Sequence, residues 1–275
     1  MTAAIGAELL KLRKRPAVWV LAAIMLASLV VFGYLVTYLF LVAEVGGPVP
    51  ADADFLPDLL PAHAVANAVS GLAGFGGTFG LILGALAAGS EYSWGTAKTI
   101  VTQGPSRSSI GAGKVVGLAA VTLVLAVAYL VTALLCSLVV AAAEGASSGL
   151  PDAATVVGGL GAAWLVLTVW TALGVVLAVL FRGTGLAIGL GLVYVLVVEQ
   201  LAVSLPLPEA LSDALRASLL GPSSLALAGG FGDLASTATA GGTVLDPGPA
   251  AAVLAVYLVV FLAVAWLVFT RQELG

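Results

Sequence analysis

Long apolar runs separated by short polar breaks set the pattern of this chain, and the runs are helix-length rather than strand-length. A helix crossing the hydrocarbon core of a bilayer needs about 20 apolar residues, with about 17–25 the usual range. Six runs qualify, at 17–43, 69–90, 115–143, 153–181, 184–205 and 249–270. The first has no charge between Arg15 and Glu44. Cations precede it as in a secretion signal, but a signal's apolar core is only about 7–15 residues long. It therefore reads as a span and not as a leader. The third and fourth runs are long enough to tilt or to project beyond the bilayer. Between the fourth and fifth, Arg182-Gly183-Thr184-Gly185 predicts a tight hairpin instead of one continuous helix.

The breaks have characters of their own. Residues 1–16 predict a short amphipathic elbow helix, with Ile5, Leu9, Leu10 and Leu12 on one broad side and Glu8, Lys11 and Lys14 on the other. Pro16 ends it. Such a helix lies in the membrane interface with its cations near anionic lipid headgroups, or serves only as a basic anchor. The segment from Val45 to Ala68 holds Pro48, Pro50, Pro57 and Pro61, three aspartates and the only histidine, His63. Its acids have no regular ligand spacing, so it reads as a solvated loop without a metal. In 206–248, Leu211, Leu215 and Leu219 recur every four residues behind Pro208-Glu209, a pair suited to a helix's first turn. A short amphipathic helix on the outer surface is expected there, followed by loop from Gly221 onward.

Charge supplies the orientation. With an even number of spans both termini lie on one side, and cations mark the cytoplasmic side. Lys11, Arg13, Lys14, Arg15, Lys98, Arg107, Lys114, Arg182 and Arg271, nine of the ten cations, fall on the side of the termini. That side sums to +6 and the other to −9, with Glu199 inside the fifth run supplying the rest of the net −4. Cytoplasmic termini follow.

Composition agrees and narrows the class. Hydrophobic residues make up 61% of the 275 and charged residues 9%, against about 25% charged in soluble domains. Mean hydropathy is +1.17. Disorder is excluded, since disordered chains are charged and poorly hydrophobic. A lone Cys136 excludes a disulfide framework and, sitting mid-span, reads as a small apolar filler. The result is an all-α, polytopic membrane protein forming one transmembrane domain, with no feature directed at nucleic acid. The richness in alanine, glycine and valine suggests a bacterial source.

The connection at 91–114 is too polar to span and too patterned for a linker. Tyr92, Trp94, Ile100 and Val101 give it apolar surface, and Gly104-Pro105 ends any helix within it. It suits a partner-binding helix, or one lying flat at headgroup depth. Here the chain resembles, along its whole length, the permease subunits of type-2 ABC exporters whose ATPase is a separate chain. The points of resemblance are the basic N-terminal helix with its proline-marked elbow, the six spans, and a Glu91-x-x-x-Gly95-Thr96 start to the first inner loop. Its Pro105-Ser106-Arg107 close, a large outer segment before the last span and the tail Phe269-Thr270-Arg271-Gln272-Glu273-Leu274 add to them.

The resemblance implies that 91–107 is a coupling helix docked on the ATPase through Glu91, Tyr92, Trp94, Gly95, Thr96, Lys98, Pro105 and Arg107. Lys98 stands where the family often has arginine. It also implies a dimer with a second permease copy or paralogue, two ATPase subunits carrying ATP and magnesium, contact with membrane lipids, and export from a bacterial cytoplasmic membrane.

The chain's own chemistry is sparse. No Gly-x-x-x-x-Gly-Lys-Ser/Thr phosphate cradle exists; Gly111-Ala-Gly-Lys114 imitates one, but valine follows it and the upstream spacing fails. One histidine and one cysteine cannot assemble a ligand cluster or a triad, so no catalysis by this chain alone is expected. Glu199, about 22 Å from the inner end of its span, is an intramembrane polar candidate: functional by default, or a structural group bonded to Gln200 or to backbone. Gly76, Gly80 and Gly84 on the second span, and Gly185 and Gly189 on the fifth, form small-residue stripes suited to close helix packing, within one bundle or between copies. Two rival functions stay open: an ion- or proton-coupled carrier using Glu199, and a non-transporting membrane anchor. Against the first, no second ionisable group stands in the spans and no duplicated broken helix is visible.

Overall fold

The computed structural model describes residues 2–42, 56–93, 107–146, 149–232 and 245–271. The described residues are almost wholly helical, without a strand among them. Six helices are long and apolar enough to cross a membrane: span 1 (Pro16–Val42), span 2 (Pro61–Tyr92), span 3 (Ser109–Glu144), span 4 (Ala153–Phe181), span 5 (Thr184–Ser204) and span 6 (Pro247–Phe269). The protein is a multi-pass membrane protein. Lys11, Lys114, Arg182 and Arg271 lie at one end of the bundle, the basic end, and Asp58, Glu144, Asp152 and Asp246 at the other, the acidic end.

Spans 2 and 4 form the centre, and their contact depends on absent side chains. A Cβ on Gly84 would collide with the carbonyl oxygen of Thr171, and one on Gly174 with that of Leu81. The two backbones therefore touch reciprocally. Around this seam the core gathers Leu81, Val166, Leu167, Val169 and Trp170, all buried. Spans 1, 5 and 6 lie outside it and turn large apolar side chains outward, among them Trp19, Phe32, Leu196, Leu201 and Val259. In a soluble protein such a surface would aggregate; in hydrocarbon it costs nothing.

Helix ends follow their capping chemistry. Span 4 starts at Asp152, whose Oδ1 accepts from the Thr155 N–H at 3.2 Å. The Thr155 hydroxyl, and then its backbone N–H, hold the Asp152 carboxyl below the usual aspartate value. The cap is thus complete above the ordinary aspartate range and weakens only as pH falls through the lowered value. Span 4 ends at Arg182, which is left-handed (φ 51°, ψ 35°), at a cost of about 1–2 kcal/mol for a residue bearing a Cβ. Gly183, which would have taken that conformation freely, is extended instead. The hairpin expected from Arg-Gly-Thr-Gly is present, with arginine in the strained seat.

Three expectations need correction. Residues 56–68 are not loop: Leu56–Leu59 is helical, Pro61–His63 forms a 3-10 turn, and helix continues from Ala64. Pro61 occupies the first turn, where its missing N–H is harmless, and Ala64, Val65, Ala66 and Ala68 are buried behind it. His63 remains partly exposed, with Nδ1 3.7 Å from Asp58, and no three metal-ligating side chains meet among the described residues.

Residues 221–229 are also helical rather than loop. Glu209–Ser218 and Leu220–Gly229 make two short helices; residues 210–218 of the first are exposed or only partly buried, whereas the second buries Leu220, Ser223, Ser224, Ala226, Leu227 and Ala228. Tyr257 Oη donates to the Ser218 carbonyl at 2.7 Å, and the Trp170 indole N–H reaches Ser224 Oγ at 3.4 Å. By helix rise these partners stand about 16–21 Å from the basic ends of spans 4 and 6. The pair is a re-entrant hairpin with its turn deep in the bundle. Ser223 and Ser224 escaped notice because each satisfies its hydroxyl on its own chain, Ser223 on Ala217 O and Ser224 on Leu220 O.

The N-terminal helix Thr2–Lys14 is the third correction. Its packed side mixes the two expected sides: Glu8 and Lys11 are partly buried and Leu12 is buried, while Leu9, Leu10 and Lys14 are exposed. Gly113 and Gly117 of span 3 leave room for Ala4 and Glu8, and Leu12 is buried with Val18, Leu83, Ala87 and Leu118.

Candidate functional site

The basic end brings together groups that are far apart in sequence. Glu91, on the last turn of span 2, is 8% exposed. Its Oε1 accepts from Lys11 Nζ at 2.6 Å and its Oε2 from Lys114 Nζ at 2.7 Å, while Lys11 also pairs with Glu8 at 2.6 Å. One carboxylate thus fastens the N-terminal helix, span 2 and span 3. Beside it the Arg15 guanidinium donates to the Leu86 carbonyl at 3.0 Å. Two cations on one buried carboxylate compensate its desolvation, and each lysine would be costly to bury without it. Lys11, Lys114 and Glu8 carry no motif, and only their charge was visible in sequence.

Glu91, which the resemblance assigns to docking, is turned inward here, with its carboxylate bonded to Lys11 and Lys114. Tyr92 follows it and is half-buried. Trp94, Gly95, Thr96, Lys98 and Pro105 lie outside the described residues. Arg107 begins the helix that becomes span 3. Gly111-Ala-Gly-Lys114 lies within that continuous helix, where a Cβ on Gly111 would meet Trp266. Its glycines serve packing.

Next to the carboxylate clasp, spans 2, 3, 4 and 6 enclose a cavity of about 210 Å³. Its wall is mainly hydrocarbon and aromatic, with Leu118, Trp164, Val175, Leu262, Trp266 and Phe269 contributing, and the paired Glu91 and Lys114 of the clasp, with Tyr92, line one part of it. The polar groups on the wall are already engaged. Thr168 Oγ1 pairs with Thr122 Oγ1 at 3.0 Å, Thr171 Oγ1 donates to the Leu167 carbonyl at 2.7 Å, and the Trp164 indole N–H donates to the Ala119 carbonyl at 2.9 Å.

Glu199 occupies a separate place. It is 4% exposed, and its Oε1 accepts from the Gly221 N–H at 3.0 Å. Gly221 lies in the first turn of the helix Leu220–Gly229, so Glu199 is a carboxylate on a helix N-terminus, where the orphan amides and the dipole favour it. It anchors the re-entrant hairpin, and it does not line the cavity. Glu199→Leu should therefore cost about 1–3 kcal/mol by leaving the Gly221 N–H unmet. Glu199→Gln keeps an acceptor and should cost less than about 1 kcal/mol. Thermal melting of the purified variants in detergent checks both.

The glycine stripes divide. A Cβ on Gly80 would meet the Leu167 carbonyl and Trp170, and one on Gly84 the Thr171 carbonyl, so these two serve packing inside this chain. Gly76 faces Leu72 of its own helix, in a π-helical stretch at Leu72–Gly76. Gly185 and Gly189 have open space around the Cβ position.

No curated protein matches the chain. The profile of a family described as "Protein of unknown function (DUF2705)" matches residues 64–274, from the start of span 2 through the tail, and the chain belongs to that family.

Proposed function

We propose that this chain is the membrane-spanning subunit of an ATP-driven exporter in a bacterial cytoplasmic membrane. It pairs with a second copy or a close relative and with two cytoplasmic ATPase chains, which hold the ATP and magnesium. The substrate class is amphipathic: a small molecule, a peptide or a lipid-like compound. The observation that carries the reading is the clasp at Glu91. The segment expected to dock on the ATPase, 91–107, opens on a carboxylate bonded to the N-terminal helix and to span 3. A push on that segment reaches three elements at once, which is what a coupling loop requires. The resemblance to type-2 ABC permeases supplies the direction, export.

This reading fixes the sidedness. The basic end, with both termini, faces the cytoplasm, in keeping with the cation excess there. The test is labelling by a membrane-impermeant maleimide in intact cells, in a chain carrying Cys136→Ala and one new cysteine. Ser147→Cys, between spans 3 and 4, should label from outside, and Gly275→Cys only after permeabilisation. The opposite pattern would put 91–107 outside the cell, beyond reach of any ATPase, and the proposal would fail.

The ion-coupled alternative requires Glu199 to exchange protons or ions along a path. Its carboxylate is instead committed to the amide end of a helix, apart from the cavity. The proposed reading expects Glu199→Gln to leave export intact.

A further inference from the structure

The cavity between spans 2, 3, 4 and 6 has a volume of about 210 Å³, well beyond the voids that a packed interior leaves by accident. An engineered apolar cavity of about 150 Å³ already admits benzene. Along most of the wall the polar groups are engaged within the chain, those of Trp164, Thr168 and Thr171 included. A buried water needs about two to four polar partners, so water does not fill such a space. The body of an occupant is therefore apolar, and the rings of Trp164, Trp266 and Phe269 suit a flat one.

One part of the wall differs. Glu91 and Lys114 belong to it, and both side chains are nearly buried. A lysine ammonium has three N–H donors. Lys114 Nζ gives one of them to Glu91 Oε2 at 2.7 Å, and its others have no acceptor among the described residues. The clasp is also electrically balanced, with Lys11 and Lys114 set against Glu8 and Glu91. A charged ligand would upset that balance, an anion against Glu91 and a cation against Lys114, in a place where solvent screens little. A pure hydrocarbon, a lipid tail among them, would cover the ammonium donors without meeting them, which is costly. A neutral molecule with one acceptor oxygen does neither.

We infer that this cavity binds an uncharged, mainly apolar molecule whose carbonyl oxygen accepts from Lys114 while its ring lies against Trp164 and Trp266. The inference stands whether or not an ATPase docks at 91–107.

The test uses the full chain in phosphatidylcholine nanodiscs, dialysed against three probes of one size. These are 2-acetylnaphthalene, 2-ethylnaphthalene, which has a methylene in place of the carbonyl, and the anion 2-naphthoate. Protein-free discs give the partition of each probe into lipid, and binding is counted above it. The ketone should bind saturably at one molecule per chain. It should bind about tenfold tighter than the hydrocarbon, the difference expected of one hydrogen bond from a charged donor. Naphthoate should show no saturable binding. Ala265→Phe and Leu262→Trp each fill the space and should each remove the saturable component, with melting temperatures identifying a variant that has lost its fold. The double variant Glu91→Ala with Lys114→Met, in which Lys11 still has Glu8, should bind ketone and hydrocarbon alike. No saturable ketone binding, equal affinity for ketone and hydrocarbon in the parent, or tighter binding of naphthoate than of ketone would each overturn the inference. So would saturation that survives in both filled variants, or a ketone preference that persists without Lys114.

Discussion

Gly84→Leu is expected to abolish assembly of the bundle, and Gly84→Ala to destabilise it at the top of the range of about 1–3 kcal/mol usual for overpacking. The reason is geometric. The nearest atom to the added methyl is the carbonyl oxygen of Thr171, part of a helix backbone and not the end of a flexible side chain. Relief requires spans 2 and 4 to separate, and separation also opens the reciprocal contact of Gly174 with Leu81. The loss spreads because Trp170 sits beside this seam, with Gly77 against its ring and Gly80 against its Cβ. Gly185→Ala and Gly189→Ala are the controls and should melt like the parent, since, apart from the local helix backbone, no atom of the described residues lies within 4 Å of a Cβ added at either position. Retention of the parent's melting temperature in Gly84→Ala would refute the packing of spans 2 and 4 described above. A weakened self-association in Gly185→Ala with unchanged melting would assign that stripe to a seam between copies.

Glu91→Ala should cost about 3–5 kcal/mol, the usual penalty for removing one partner of a buried ion pair. Its side chain and that of Lys114 are only 10% and 12% exposed, so solvent screens the pair little. The variant leaves Lys114 without its carboxylate, whereas Lys11 keeps Glu8. Lys11→Met should therefore cost less than Glu91→Ala. A double variant, Glu91→Ala with Lys114→Met, should recover much of the loss, because it removes the uncompensated cation. The readout is a double-mutant cycle on detergent melting. Strictly additive effects would mean that the three groups do not form one unit.

The apolar runs made the six spans legible because a bilayer demands length and hydropathy, and both are local properties. Their ends were less legible. Span 2 starts at Pro61, eight residues before the run at 69, because His63 and Asn67 interrupt the apolar pattern while alanine carries the helix through. Span 3 extends back to Ser109 for a different reason: Gly111 and Gly113 look like loop residues, but they seat Trp266 and Ala4. The re-entrant hairpin was half visible. The four-residue leucine spacing marked its first helix, whereas the second is rich in glycine, serine and alanine and is held by tertiary contacts with Trp170 and Glu199. The clasp had no signature, since Lys11, Glu91 and Lys114 belong to three elements and meet only in the fold. Glu199 stood out as a charge in an apolar run, but its partner, a backbone amide more than 20 residues away, could not be named from sequence.

The central claim is that an ATPase docks where span 2 leaves the bundle. The most direct measurement is to isolate the tagged chain from its native membranes in mild detergent and identify what accompanies it. A stoichiometric Walker-motif ATPase should come with the parent and be lost on changing Trp94 and Arg107 to alanine, with the melting temperature unchanged. A chain that is isolated alone and transports in liposomes under an ion gradient without ATP would contradict the account and return Glu199 to the centre of the mechanism.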